Sequence, residues 1–216
     1  MDATASLQTD PPRLFRIATP HNRRRVRSFI QHCFAEEYAA AIDVYSRHLI
    51  ALLDGQDVQA AVGYQSAAEG PLFLEQYLEQ PIEHYLARHA GGPVARERIL
   101  EMGNLASHSS GWTRHLILHL AGFLHRQGFE WVVMTATPRV LNSFHKLGIG
   151  AALIPLTPAD PARLKEGAGR WGRYYEEHPL VLAAHVRRGL AQLRRCQRGA
   201  LPVFDAATDR QLKIVS

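Results

Sequence analysis

A chain of 216 residues, 46% of them hydrophobic, can bury one sizeable core, and no shift of composition divides it in two. Its two cysteines, Cys33 and Cys196, exclude a disulfide framework and a thiolate metal site, and no apolar run reaches the roughly 18–20 residues that span a bilayer. The net charge of +5 rests mainly on arginine, since only three of the 25 basic residues are lysines, and no nucleic-acid motif accompanies it.

Residues 1–12, MDATASLQTDPP, hold two prolines and no apolar periodicity and read as a disordered lead. RLFRIAT (13–19) alternates and predicts a first strand. Asn22 reads as the N-cap of a long helix along which Val26, Phe29, Ile30, Cys33, Phe34, Tyr38 and Ile42 recur at helical spacing. HLIALLD (48–54) and VQAAVGYQSA (58–67) flank Asp54-Gly55 as a hairpin. A helix follows from Pro81 and ends at Gly91-Gly92. The strand RILEMGNLA leads through the loop SHSSGW into a helix whose inner face is Leu116, Ile117, Leu120, Phe123 and Leu124. FEWVVMTAT (129–137) is a continuous apolar strand, PRVLNSFHKLG a helix capped by Gly148, and AALIPL and LVLAAHV are further strands. Residues 201–216 read as a tail outside the core. This order predicts an α/β (α+β) fold, a mixed sheet with helices on both faces, as a single domain over residues 13–200.

Two arginine clusters, HNRRRVR (21–27) and HVRRGLAQLRRCQR (185–198), read as solvated basic faces or as contacts for an acidic carrier protein or a phosphorylated donor. They also permit peripheral contact with anionic lipid. With no basic and apolar leader and with free thiols, the expected compartment is the cytoplasm. Among twelve histidines, His115 and His119 share a helical face, but no carboxylate or thiol completes a metal set, so no metal is expected and both read as solvated. His108 and His145 are alternative bases, and no G-x-S-x-G elbow supports a hydrolase.

The segment ILEMGNLASHSSGWTRHLILHL (99–120) departs most from a plain core pattern. Glu101 interrupts an apolar strand, where burial would raise its pKa. Gly103-Asn104 break the strand, and Ser109, Ser110, Gly111, Trp112, Thr113 and Arg114 supply more small polar residues than one helix cap needs. Read without a ligand, these are a β-bulge and a capped helix start; read with one, they are places for a polar arm and a phosphate.

The strand–loop–helix LEMGNLASHSSGWTRHLILHLAGFLHRQG and the helix end NSFHKLGI (142–149) resemble the Gcn5-related N-acyltransferase (GNAT) superfamily. LEMGNLA resembles the W-E-x-S-R-F-A strand of the acyl-homoserine-lactone synthase branch, with Glu101 at the motif's glutamate and Gly103-Asn104 where it has Ser-Arg. LFLEQYLEQPIE, ILEMGNLAS, GFEWVVMTAT, NSFHKLGI and RWGRYYEEHP together resemble the thermostable hemolysin family across about residues 30–185.

The acyltransferase resemblance implies a donor, either acyl-CoA or the phosphopantetheine of an acyl carrier protein, and a small amine or amino-acid-like acceptor. On that basis Glu101 would activate the amine. Met102, Gly103, Asn104, Leu105 and Ala106 would bind pantetheine, and Ser109 to Arg114 the phosphates. Tyr174 or Tyr175 would protonate the leaving thiolate, with Phe34, Phe73 and Trp171 lining an acyl or acceptor pocket. The alternatives are a membrane-active haemolysin and a non-catalytic acyl-binding module. Oligomeric state is not legible in the sequence.

Overall fold

Residues 14–196 are described in the computed structural model of the protein, and the lead (1–12) and tail (201–216) lie outside them. The first strand, β1 (Leu14–Ile17), runs into α1 (Pro20–Tyr38). The helix begins at Pro20, two residues before the expected cap, because proline's fixed φ suits the first helical position; Thr19 is the N-cap and Asn22 lies inside the helix. Val26, Ile30, Phe34 and Tyr38 recur every four residues and are its buried stripe.

The hairpin of β2 (His48–Asp54) and β3 (Asp57–Ser66) turns at Gly55, where φ is 56°. A short 3-10 turn, Phe73–Tyr77, precedes α2 (Ile82–Ala90), which Gly91 ends in the left-handed region. Next come β4 (Ile99–Ser107), α3 (Ser110–Arg126), β5 (Trp131–Ala136) and α4 (Pro138–Lys146). The chain closes with β6 (Leu153–Pro158), β7 (Leu180–His185) and α5 (Val186–Cys196). The last helix is absent from the expected element order: its arginines suggested a basic face or an anionic contact, yet Val186, Leu190 and Leu193 lie at helical spacing and are buried.

The seven strands form one mixed sheet in the order β1-β2-β3-β4-β5-β7-β6, with β4 and β5 its parallel pair. Alternation along the strands divides the core by face. One face carries Leu100, Met102, Val132 and Met134 under α3, α4 and α5. The other carries Leu49, Ala51, Ala61 and Ala106 under α1, and Ile99, Trp131 and Val133 under α2. His119, expected at the surface, is buried at the inner side of α3, and its pKa falls to about 4 through burial and the neighbouring His115. No helix among the described residues is long and apolar enough to cross a membrane.

Candidate active site

Strands β4 and β5 are in register from Ile99↔Trp131 to Met102↔Met134 and then separate, although β4 continues to Ser107 and β5 to Ala136. On its other edge β4 stays with β3, but Ala61 to Gly63 face Gly103 to Ala106, three residues against four. The extra residue is a β-bulge, and Asn104 takes the left-handed conformation there with φ 53°. The bulge turns β4 away from β5. Phe34 and Tyr38 of α1 therefore meet Val140 of α4 in the gap, although the two helices cover opposite faces of the sheet.

The gap is lined by Met102, Gly103, Leu105, Thr135 and Tyr174. The Asn104 side chain is buried with neither its amide oxygen nor its nitrogen hydrogen-bonded, and the Thr135 hydroxyl is likewise unpartnered. An unsatisfied buried polar group costs about 1–3 kcal/mol, so both groups are held here at a cost in stability.

Glu101 lies just before the split, 3% exposed. The N–H groups of Phe73 and Leu74 donate to its two carboxylate oxygens at 2.7 and 2.9 Å. Burial raises its pKa to about 7; those two bonds act the other way, and nearby Glu75 adds to the rise. The Phe73–Tyr77 turn is itself anchored. Glu75 accepts from the N–H groups of Leu72 and Ile82 and from Arg96, which also pairs with Glu83. Burial would raise Glu75, but the Arg96 guanidinium and the backbone donors outweigh it and hold the carboxyl below the usual range.

Tyr45 belongs to this site and was not among the sequence candidates. Its ring stacks on Phe73 at 4.2 Å and 15°. A Cβ on Gly103 would lie 1.8 Å from its hydroxyl oxygen, so glycine is required there for close approach. Residues 40–47 are fastened over the sheet by Arg23, which donates to the Ser46 carbonyl, and Gln31, which donates to the Ile42 carbonyl. Part of the first arginine cluster is therefore structural, not a free solvated face. Burial, with Glu101 next, pushes the Tyr45 phenol well above its ordinary pKa.

The aromatic candidates converge. Trp171 lies 5.6 Å from Phe73 and 6.3 Å from Phe34, and Tyr174 packs on Phe34, Tyr38 and Trp171. Tyr174 is buried and lines the gap, whereas the Tyr175 hydroxyl shares a 2.6 Å hydrogen bond with that of Tyr77. Burial pushes Tyr175 up to about 12 and Tyr174 higher still, so both keep their protons at neutral pH. Beyond Tyr45, Phe73 and Trp171 opens a cavity of about 390 Å³, with Asp43, Gln65, Gln76, Lys165 and Arg170 on its walls. On the opposite face an apolar cavity of about 70 Å³ lies between the sheet, α3 and α5 and shares Met102, Leu105 and Met134 with the gap.

The small polar residues after β4 largely satisfy one another. Ser109 caps α3 by accepting from the Trp112 N–H, so Ser110, Gly111 and Trp112 belong to its first turn and not to a loop. The Thr113 hydroxyl bonds to Ser107 at 2.6 Å and to the Ser109 carbonyl, and Arg114 donates to Ser110. Ala106, Ser107 and Thr113 line a channel running from the gap to the surface, while Ser109 and Ser110 are exposed outside it. Among the described residues no cluster of three or more His, Cys, Asp or Glu could hold a metal ion.

A seven-stranded mixed sheet that splits along its parallel pair beside a buried glutamate defines the class as a GNAT-like fold. Similar solved structures include the AHL synthase LasI, at 14% identity and TM-score 0.57 over 90% of this chain and 99% of that one. FeeM, an N-acyl amino acid synthase from uncultured soil microbes, is 15% identical with TM-score 0.54 over 84% and 96%. BjaI, a CoA-dependent acyl-homoserine lactone synthase with SAM and isopentyl-CoA, is 16% identical with TM-score 0.56 over 90% and 94%. The chain belongs to the thermostable hemolysin family, whose profile matches residues 17–190. No curated protein sequence matches it.

Proposed function

We propose that this protein is an N-acyltransferase that moves an acyl group from a pantetheine thioester, of CoA or of an acyl carrier protein, to the amine of a small amino-acid-like acceptor. The observation that carries this reading is the split after Met102 and Met134, with Glu101 buried just before it and the buried, unpartnered Asn104 amide just beyond it along β4. The free edge of β4 at residues 103–106 offers hydrogen bonds to the pantetheine amides, with the thioester close to Gly103. The acceptor enters from the cavity bounded by Tyr45, Phe73 and Trp171, and the acyl chain passes Met102 and Met134 into the apolar cavity. Methionine suits that passage because its flexible thioether repacks readily.

In the reaction the amine nitrogen forms a bond to the thioester carbonyl carbon and the C–S bond breaks. Glu101, titrating near 7, takes the proton that the amine loses, directly or through water. The departing thiolate takes a proton from Tyr174, which lines the gap and recovers one from protonated Glu101 through water; the Tyr175 hydroxyl is engaged by Tyr77. The activities of the similar structures, N-acyl amino acid synthesis and CoA-dependent lactone synthesis, support the reaction class.

The test is thermal unfolding with acyl-CoAs of increasing length, followed by thiol release with a panel of amino acids. A donor at 100 times its Kd should add about 2.7 kcal/mol of stability. Acyl-CoA binding with thiol release on adding an amine is expected. No shift with any CoA or acylated carrier protein would overturn the reading.

A further inference from the structure

The channel from the gap to the surface passes between α1 and α4, and an ion pair spans it: Arg139 of α4 donates to the carboxylate of Glu37 on α1. These helices cover opposite faces of the sheet, so the pair bridges the molecule through the opening between β4 and β5. Any arm that reaches the gap by this route must pass it.

Glu37 sits poorly on its own helix. It is in the last turn of α1, where the helix dipole disfavours a carboxylate, beside Glu36 and with no basic residue in that turn. Its compensation comes from across the channel. Arg139 is the second residue of α4, so the Glu37 carboxylate faces a guanidinium at a helix N-terminus whose cap, Thr137, makes no capping bond. The opposite wall holds Ser107 at the end of β4 and Thr113 in the first turn of α3, and the inner end shares Phe34, Tyr38, Leu105 and Val140 with the gap.

We infer that Arg139 is the receptor for the phosphate that joins the pantetheine arm to the rest of the donor, and that Glu37 occupies its place until the donor arrives. This rests on the acyltransferase reading and adds the residue that recognises the donor's charge. CoA and a carrier protein's phosphopantetheine share this phosphate ester, while pantetheine lacks it. Donor entry therefore exchanges one anion for another on Arg139 and releases Glu37 to water, loosening the strap between α1 and α4.

The experiment measures binding of CoA, holo-acyl carrier protein and pantetheine to wild type, Arg139→Gln, Glu37→Gln and the double variant. The pair is partly exposed, at 51% and 33%, so the variants should fold, which their melting curves check. Arg139→Gln should weaken CoA or carrier-protein binding about tenfold or more and leave pantetheine unchanged. Glu37→Gln should tighten the phosphate-bearing donor several-fold, and the double variant should match Arg139→Gln alone. Whichever of CoA and carrier protein shows the effect identifies the source of the phosphate. Equal affinities in wild type and Arg139→Gln, or parallel weakening by both single variants, would overturn the inference and leave the acyltransferase reading standing. Failure of wild type to bind any of the three ligands would overturn both.

Discussion

Glu101 is under opposing influences, since two backbone donors favour its anion and burial disfavours it, and burial prevails at about 7. A carboxyl whose folded pKa is raised above the ordinary value of 4.5 holds its proton in the folded state when the unfolded chain has lost it. Stability from this group is therefore lost as pH rises from 4.5 to 7, by about 3 kcal/mol in all. The stability difference between wild type and Glu101→Gln, followed by denaturant unfolding at several pH values, should move by that amount against wild type. Acyl transfer should rise over the same range as the base ionises, and Glu101→Gln should lower it about 100-fold or more. At Asn104 stability and function should diverge. Asn104→Gly keeps the left-handed backbone and removes the unsatisfied amide, so the melting point should rise, equivalent to about 1 kcal/mol, while CoA binding weakens.

The Phe73–Tyr77 turn is the element on which the site depends, because its first two N–H groups hold Glu101 and its Phe73 ring supports Tyr45. Arg96 fixes it from outside through Glu75, Glu83 and the Ala67 and Gly70 carbonyls. Removing the guanidinium leaves Glu75, 15% exposed, without its counter-ion. Arg96→Ala should cost about 2 kcal/mol in denaturant unfolding and should lower acyl transfer at temperatures where the protein stays folded. Activity unchanged in the folded variant would show that the turn holds Glu101 without this anchor.

Across the whole molecule the sheet separates two cavities of different character, one mixed and one apolar, and the apolar one shares Met102, Leu105 and Met134 with the gap at the split. The apolar one is enclosed by α3, α5 and the β5, β6 and β7 strands, so chain length should be governed far from the chemistry. Each methylene buried there is worth about 0.8 kcal/mol. Ala121→Phe should fill this cavity and abolish the extra thermal shift from longer acyl-CoAs, leaving that of the shortest unchanged. An undiminished long-chain shift would place the acyl group elsewhere.

Local pattern by itself determined the strands and most helices, because an amphipathic stripe such as Val26–Ile30–Phe34–Tyr38 or a hairpin turn at Gly55 depends on neighbours in sequence. Glu101 and the break at Gly103-Asn104 were legible for the same reason, as a charge and a flexible pair inside an apolar strand. Tyr45 was not, since IDVYSR carries no periodicity and its role arises only where β4 and the Phe73 turn come together. The convergence of Phe34, Phe73 and Trp171, and the pairing of Glu37 with Arg139 through the sheet, were equally hidden. Tertiary structure decided these because burial and partnership between residues distant in the chain are set by strand register and helix packing, and no local spacing encodes them.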